Sequence, residues 1–143
     1  MSAFVLDASV TLSWLLSDAG QKDRAYAAKV LEAMKSPDCH VAVPVTWSLD
    51  IANVIARAEA KGLLSEAQSE AFLEMLSCTR VRMDDATGPR ALAETLHLAR
   101  RYRLSSYDAS YLDLALRSGL PIATLDAALA KAAHKAGVQR FAG

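Results

Sequence analysis

Ala3-Phe4-Val5-Leu6-Asp7 is a run of four apolar residues closed by a carboxylate. A run this short, without polar alternation, suits a strand buried on both faces, as in a parallel sheet. Similar runs recur down the chain. Cys39 to Val43 is stopped by Pro44, Arg80 to Met83 alternates basic and apolar residues, and Pro121 to Thr124 leads to Asp126. Val138 to Phe141 is a candidate edge strand.

Helical patterns fill the gaps. They are expected from about Thr11 to Leu16, from Asp23 to Met34, and from an N-cap at Thr46 to Gly62. In the last of these, Ile51, Val54, Ile55 and Ala58 recur on one face. Ser65-Glu66-Ala67-Gln68 reads as a capping box. Near Pro89 a further helix begins, with Leu92, Leu96 and Ala99 on one face. Ser105 opens another that closes at Gly119, and Asp126 heads the last. The expectation is a single α/β domain over residues 1–143, with a central, mostly parallel sheet of four to five short strands and helices on both faces.

Composition narrows the possibilities. A 143-residue chain with 52% hydrophobic and 22% charged residues is long enough for its own core and is neither disordered nor fibrous. Sixteen basic residues balance sixteen acidic ones, which excludes a broad basic coat for nucleic acid. No stretch is apolar enough to span a membrane, and the start lacks a signal-peptide pattern, so a cytoplasmic setting is expected. Cys39 and Cys78 lack metal or disulfide spacing and read as buried thiols.

In open α/β sheets, ligands bind beyond the carboxyl ends of the strands. Asp7 and Asp126 sit at such ends, while Asp50 and Asp108 fall in what read as first turns of helices. Singly, each has an ordinary explanation: a cap for Asp7 and Asp126, a capping box with Ser105 for Asp108, a dipole contact for Asp50. Converging on one sheet edge, four carboxylates would repel one another unless a cation sat among them. An all-oxygen set without His or Cys favours Mg²⁺ or Mn²⁺. Such an ion equips a site for phosphodiester hydrolysis.

Four segments carry a resemblance. Val5-Leu6-Asp7-Ala8-Ser9, Pro44 with Asp50 and Asn53, Tyr107-Asp108-Ala109 with Tyr111-Leu112 and Leu114-Ala115, and Leu120 to Asp126 resemble the motifs of PIN-domain proteins. They resemble above all the VapC toxins of bacterial toxin–antitoxin pairs, from near residue 3 to near residue 140. The resemblance implies a Mg²⁺- or Mn²⁺-dependent ribonuclease, a homodimer, and a small antitoxin that covers the site. Carried over residue by residue, it implies metal-site acids at Asp7, Asp50, Asp108 and Asp126 and supporting polar residues at Ser9, Asn53 and Thr124. Asp50 stands where the family usually has the longer glutamate, which suggests contact through water. The alternative reading is a catalytically weakened module of the same fold that binds an antitoxin or scaffolds a complex.

Other residues read more plainly. Asp113 lies about 140° around the helix from Asp108, facing away, solvated or salt-bridged. Trp47 reads as core, and Arg100, Arg101 and Arg103 as an exposed helix end. Asp84 and Asp85 read as loop and N-cap residues, and His40, His97 and His134 have no ligand spacing. Apolar faces at Ala27-Val30-Leu31 and Phe72-Met75-Leu76 are the expected contact surfaces.

Overall fold

The computed structural model describes residues 2–16 and 20–142. Four strands form one all-parallel sheet: β1 (Ala3–Leu6), β2 (His40–Val43), β3 (Val81–Met83) and β4 (Ile122–Ala123), in the spatial order β3-β2-β1-β4. Phe4, Val5 and Leu6 are all 0% exposed. Successive strand residues point to opposite faces, so β1 is covered on both. Its lack of polar alternation follows from that burial.

Topology places the site. The chain moves from β1 outward to β2 and β3, then returns to the other side of β1 for β4. The strand order therefore switches at β1, and a cleft at the carboxyl ends of β1 and β4 is the natural ligand position. Asp7 follows β1 directly and Asp126 lies just beyond β4.

The helices are α1 (Ala8–Ser13), α2 (Gln21–Met34), α3 (Thr46–Ala60), α4 (Glu66–Ser77), α5 (Thr87–Arg90), α6 (Leu96–Tyr102), α7 (Ser106–Ser118) and α8 (Ala127–Lys135). Ser65 and Gln68 form the expected capping box of α4. A π-helical turn, Ala91–Thr95, separates α5 from α6. It corrects the face expected there. A wider turn breaks the i, i+4 alignment, so Leu92 is 88% exposed and Thr95 is buried in its place.

The last segment also departs from expectation. Val138 to Phe141 makes only one bridge, Ile122 to Arg140, and is not a strand. The Thr124 carbonyl that would extend the ladder instead accepts from the Arg140 guanidinium at 3.1 Å. Side chains hold this segment: Phe141 stacks on Phe4 at 4.0 Å, Arg140 lies over the Tyr26 ring, and the Tyr26 hydroxyl donates to the Phe141 carbonyl.

Further corrections concern burial. Ala27, Val30, Phe72 and Leu76 turn into the core and are not contact surfaces. Cys39 is buried, but Cys78 is exposed. Trp47 is buried as expected, with its indole N–H donating to Thr11 Oγ1 at 3.0 Å. No helix among the described residues is long and apolar enough to cross a membrane.

Candidate metal centre

Asp7 is 5% exposed, a burial a carboxylate tolerates only with partners. It precedes α1 but makes no side-chain cap. Its Oδ2 accepts instead from Ser9 Oγ at 2.5 Å and from Thr124 Oγ1 at 2.8 Å. Each hydroxyl is oriented from behind. The Leu125 N–H donates to Ser9 Oγ at 2.9 Å, and the Asp126 N–H donates to Thr124 Oγ1 at 3.0 Å. With those lone pairs engaged, both hydroxyls turn their protons toward Asp7. The loop after β4 thus fixes a carboxylate at the end of β1, with Oδ1 outside these bonds.

Asp126 combines the ordinary explanation with another possibility. Its Oδ1 caps α8 by accepting from the Ala128 and Leu129 N–H groups. That leaves Oδ2 outside the cap. At α7, Ser105 Oγ accepts from the Asp108 N–H, which is half of the expected capping box. The Asp108 carboxylate faces the other acids. Burial, and then the charges of Asp126, Asp7 and Asp50, push its pKa up to about 7. Burial also raises Asp7, against the lowering effect of its two hydroxyl bonds, and the charges of Asp126 and Asp50 add to the rise.

Asp50 is not in a first turn. Helix α3 starts at Thr46, with Val45 as its N-cap, so Asp50 is the fifth helical residue, beyond the strong end of the dipole. Burial raises its pKa, and a hydrogen bond from the Tyr111 hydroxyl, 3.0 Å from Asp50 Oδ2, lowers it. Asn53 is exposed, and the hydrogen bond to Asp50 comes from Tyr111. The resemblance implies a supporting role for Asn53. Tyr111 went without a role, although its position three residues after Asp108 puts the two on one helical face.

The charges of Asp7, Asp50 and Asp126 all act on Asp108, so the four acids share one region at the carboxyl ends of β1 and β4, where Ser9 and Thr124 bond to Asp7. Among the described residues, the ion pairs are Lys35–Glu32, Arg90–Asp113, Arg117–Asp84 and Arg117–Asp113. None neutralises this centre. Nor do any three acid, His or Cys side chains of the described residues stand close enough to form a ready ligand set. The donors nonetheless fit a hard cation. They are oxygens, their charge is uncompensated, and Mg²⁺ commonly binds through one or two carboxylates while keeping waters.

Asp50, Asp108 and Asp126 are partly exposed. A cavity of about 450 Å³ lies elsewhere and is lined by residues including Cys39, His40, Arg82, Asp84 and Leu120. Leu49, Asn53 and Tyr107, sequence neighbours of the acids on α3 and α7, are exposed.

Asp113 is accounted for separately. It is salt-bridged and 3% exposed, and it receives Arg90 through two hydrogen bonds of 2.8 and 2.9 Å and Arg117 through one of 3.0 Å. Asp84, in turn, pairs with Arg117 at 2.8 Å and accepts from the Ala86 N–H.

Comparison with known proteins agrees with this architecture. The family model described as PIN domain matches residues 4–135. Among solved structures, the chain is similar to PAE2754 from Pyrobaculum aerophilum, with a TM-score of 0.66 and 23% identity, covering 92% of this chain and 79% of that one. It is also similar to FitAcB from Neisseria gonorrhoeae, with a TM-score of 0.57 and 18% identity, covering 96% of each chain. No curated protein sequence gives a significant match. The parallel sheet with acids at its switch point and the match over nearly the whole length lead to one assignment: this chain belongs to the PIN domain family.

Proposed function

We propose that this chain is a Mg²⁺- or Mn²⁺-dependent endoribonuclease, the toxin of a VapBC-type pair. Family membership supports nuclease activity at the coarse level. One observation supports the finer reading: four carboxylates without a cationic partner lie together where the strand order switches, and burial, with the charges of the other three, pushes Asp108 up to about 7. Such a cluster is costly unless a cation enters it.

Asp7, Asp108 and Asp126 would hold the ion, with Asp50 reaching it directly or through water. When bound, the ion lowers the pKa of a water molecule and stabilises charge on the phosphodiester. The remaining work belongs to the chain. Ser9 and Thr124 lock Asp7 in one orientation through Oδ2, while Asp126 is held by its cap. This ordering costs little at the moment of reaction, because buried side chains have already lost their freedom. The exposed Tyr107 and Leu49 flank Asp108 and Asp50 and offer an apolar rim to RNA bases or to a covering antitoxin segment. A cationic side chain from that antitoxin would compensate the carboxylates as the metal does. A homodimer in the cytoplasm completes the reading.

The test is cleavage of single-stranded RNA by the purified protein with Mn²⁺ or Mg²⁺ and with excess EDTA. Cleavage is expected with either metal and is expected to stop with EDTA. Undiminished cleavage in EDTA would reject the metal mechanism, and absence of cleavage with either metal would return the chain to the role of an interaction module.

A further inference from the structure

Tyr111 lies on α7 at 0% exposure, the largest of the fully buried side chains. A buried phenol needs a partner for its hydroxyl. Here that partner is a carboxylate on a different helix: the hydroxyl donates to Asp50 Oδ2 at 3.0 Å. An ionised carboxylate only accepts, so the hydroxyl gives its proton to Asp50.

This contact does not stand alone. One residue earlier on α7, Ser110 Oγ lies 2.9 Å from Thr46 Oγ1 of α3. The two helices are thus clasped at Thr46–Ser110 and at Asp50–Tyr111. Asp50, by contrast, is only partly buried. An aspartate on a helix, partly open to water, has more than one rotamer available unless a neighbour selects one. Tyr111 is rigid, packed in the core and on the same helical face as Asp108.

We propose that Tyr111 is the positioning residue of the acidic centre: its buried hydroxyl selects the Asp50 rotamer that faces Asp7 and Asp108. The inference deepens the nuclease reading and rests on it for the consequence in metal binding, although the positioning itself can be read without metal.

The experiment therefore has two parts. Tyr111→Phe keeps the ring and removes only the oxygen. In the metal-free protein, three-bond scalar couplings report the Asp50 χ1 rotamer. One rotamer is expected in the wild type and averaging in Tyr111→Phe. Calorimetric Mn²⁺ titration then compares wild type, Tyr111→Phe, Asp50→Asn and the double variant. Outer contacts of a metal site typically contribute about 10–100-fold in affinity. Tyr111→Phe should weaken Mn²⁺ binding by about 10-fold when Asp50 is present and add less than about twofold when it is replaced. A general loss of core packing would weaken both backgrounds alike, and that outcome overturns the proposal. So does an Asp50 rotamer that ignores Tyr111→Phe. A wild type that binds no Mn²⁺ but loses its Asp50 rotamer on Tyr111→Phe would remove the metal-nuclease reading and leave the positioning role of Tyr111 standing.

Discussion

Asp7→Asn is expected to reduce RNA cleavage by more than about 100-fold, beyond the roughly 10–100-fold typical of outer contacts, while the protein remains folded. The geometry explains both halves. Ser9 and Thr124 donate to the same oxygen, Oδ2. An asparagine can present its carbonyl oxygen there and keep both bonds. Its amide then occupies the place of Oδ1, where a cation would be repelled and no charge remains to hold it. The metal-free variant should also be at least as thermally stable as wild type at neutral pH. Burial holds the Asp7 pKa above its unfolded value of 3.8. Its contribution to stability is complete below that value and is lost as pH rises through the folded pKa. The same sign applies to Asp108, with a window from about 4 to about 7. Melting curves from pH 4 to pH 8 check this: the wild type should lose ground to the Asn variant as pH rises. Full cleavage by Asp7→Asn would remove Asp7 from the mechanism.

Asp113→Ala should destabilise the fold by about 2–3 kcal/mol without altering the acidic centre directly. Breaking a buried ion pair from one side typically costs about 3–5 kcal/mol, because the partner charge is left without compensation. The expected loss is smaller here. Arg117 keeps Asp84, and the Arg90 side chain is 32% exposed and reaches water. Urea unfolding of the metal-free protein measures the change. The fall in midpoint should be accompanied by weaker cleavage only in proportion to the fraction unfolded. A midpoint within experimental error of wild type would show that Asp113 contributes nothing beyond solubility.

The sequence made the sheet legible because its strands are buried on both faces. Runs such as Phe4-Val5-Leu6 have few other readings in a chain with helices between them, and the sheet is all-parallel as expected. Local signals with their own chemistry also hold: the Ser65–Gln68 box, the Ser105 cap, the Asp126 cap and the left-handed Gly119 that ends α7. What could not be read depended on through-space partners or on register. The π turn at Ala91–Thr95 leaves no mark on a 3.6-residue pattern, yet it moves Leu92 to solvent. Arg140, bridged to Ile122 beside β4, donates to the Thr124 carbonyl. With Val45 rather than Thr46 as the N-cap, Asp50 is the fifth helical residue, one position further along than expected.

The candidate centre divides along the same line. Asp7, Asp108 and Asp126 stand out in the sequence because carboxylates at strand ends and helix starts have a common direction in a parallel sheet, whereas Asp50 lies inside α3. The bonds of Ser9 and Thr124 to Asp7 bridge more than a hundred residues of sequence in the second case, and Tyr111 bonds a residue on another helix. Such pairings are visible only once the chain is folded. Tyr111 in particular was hidden by its type, since a buried tyrosine in an apolar helix face reads as core until its hydroxyl is placed.

The central claim is that the four acids form a single cation site, and the most direct measurement is anomalous diffraction from crystals soaked in Mn²⁺. The account expects a peak at the carboxyl ends of β1 and β4, with Asp7 within about 2.0–2.3 Å of it and Asp108 or Asp126 beside it or joined through water. A Mn²⁺-saturated crystal with no peak among these residues, or with its only peak at the cavity beside Arg82 and Asp84, would contradict it.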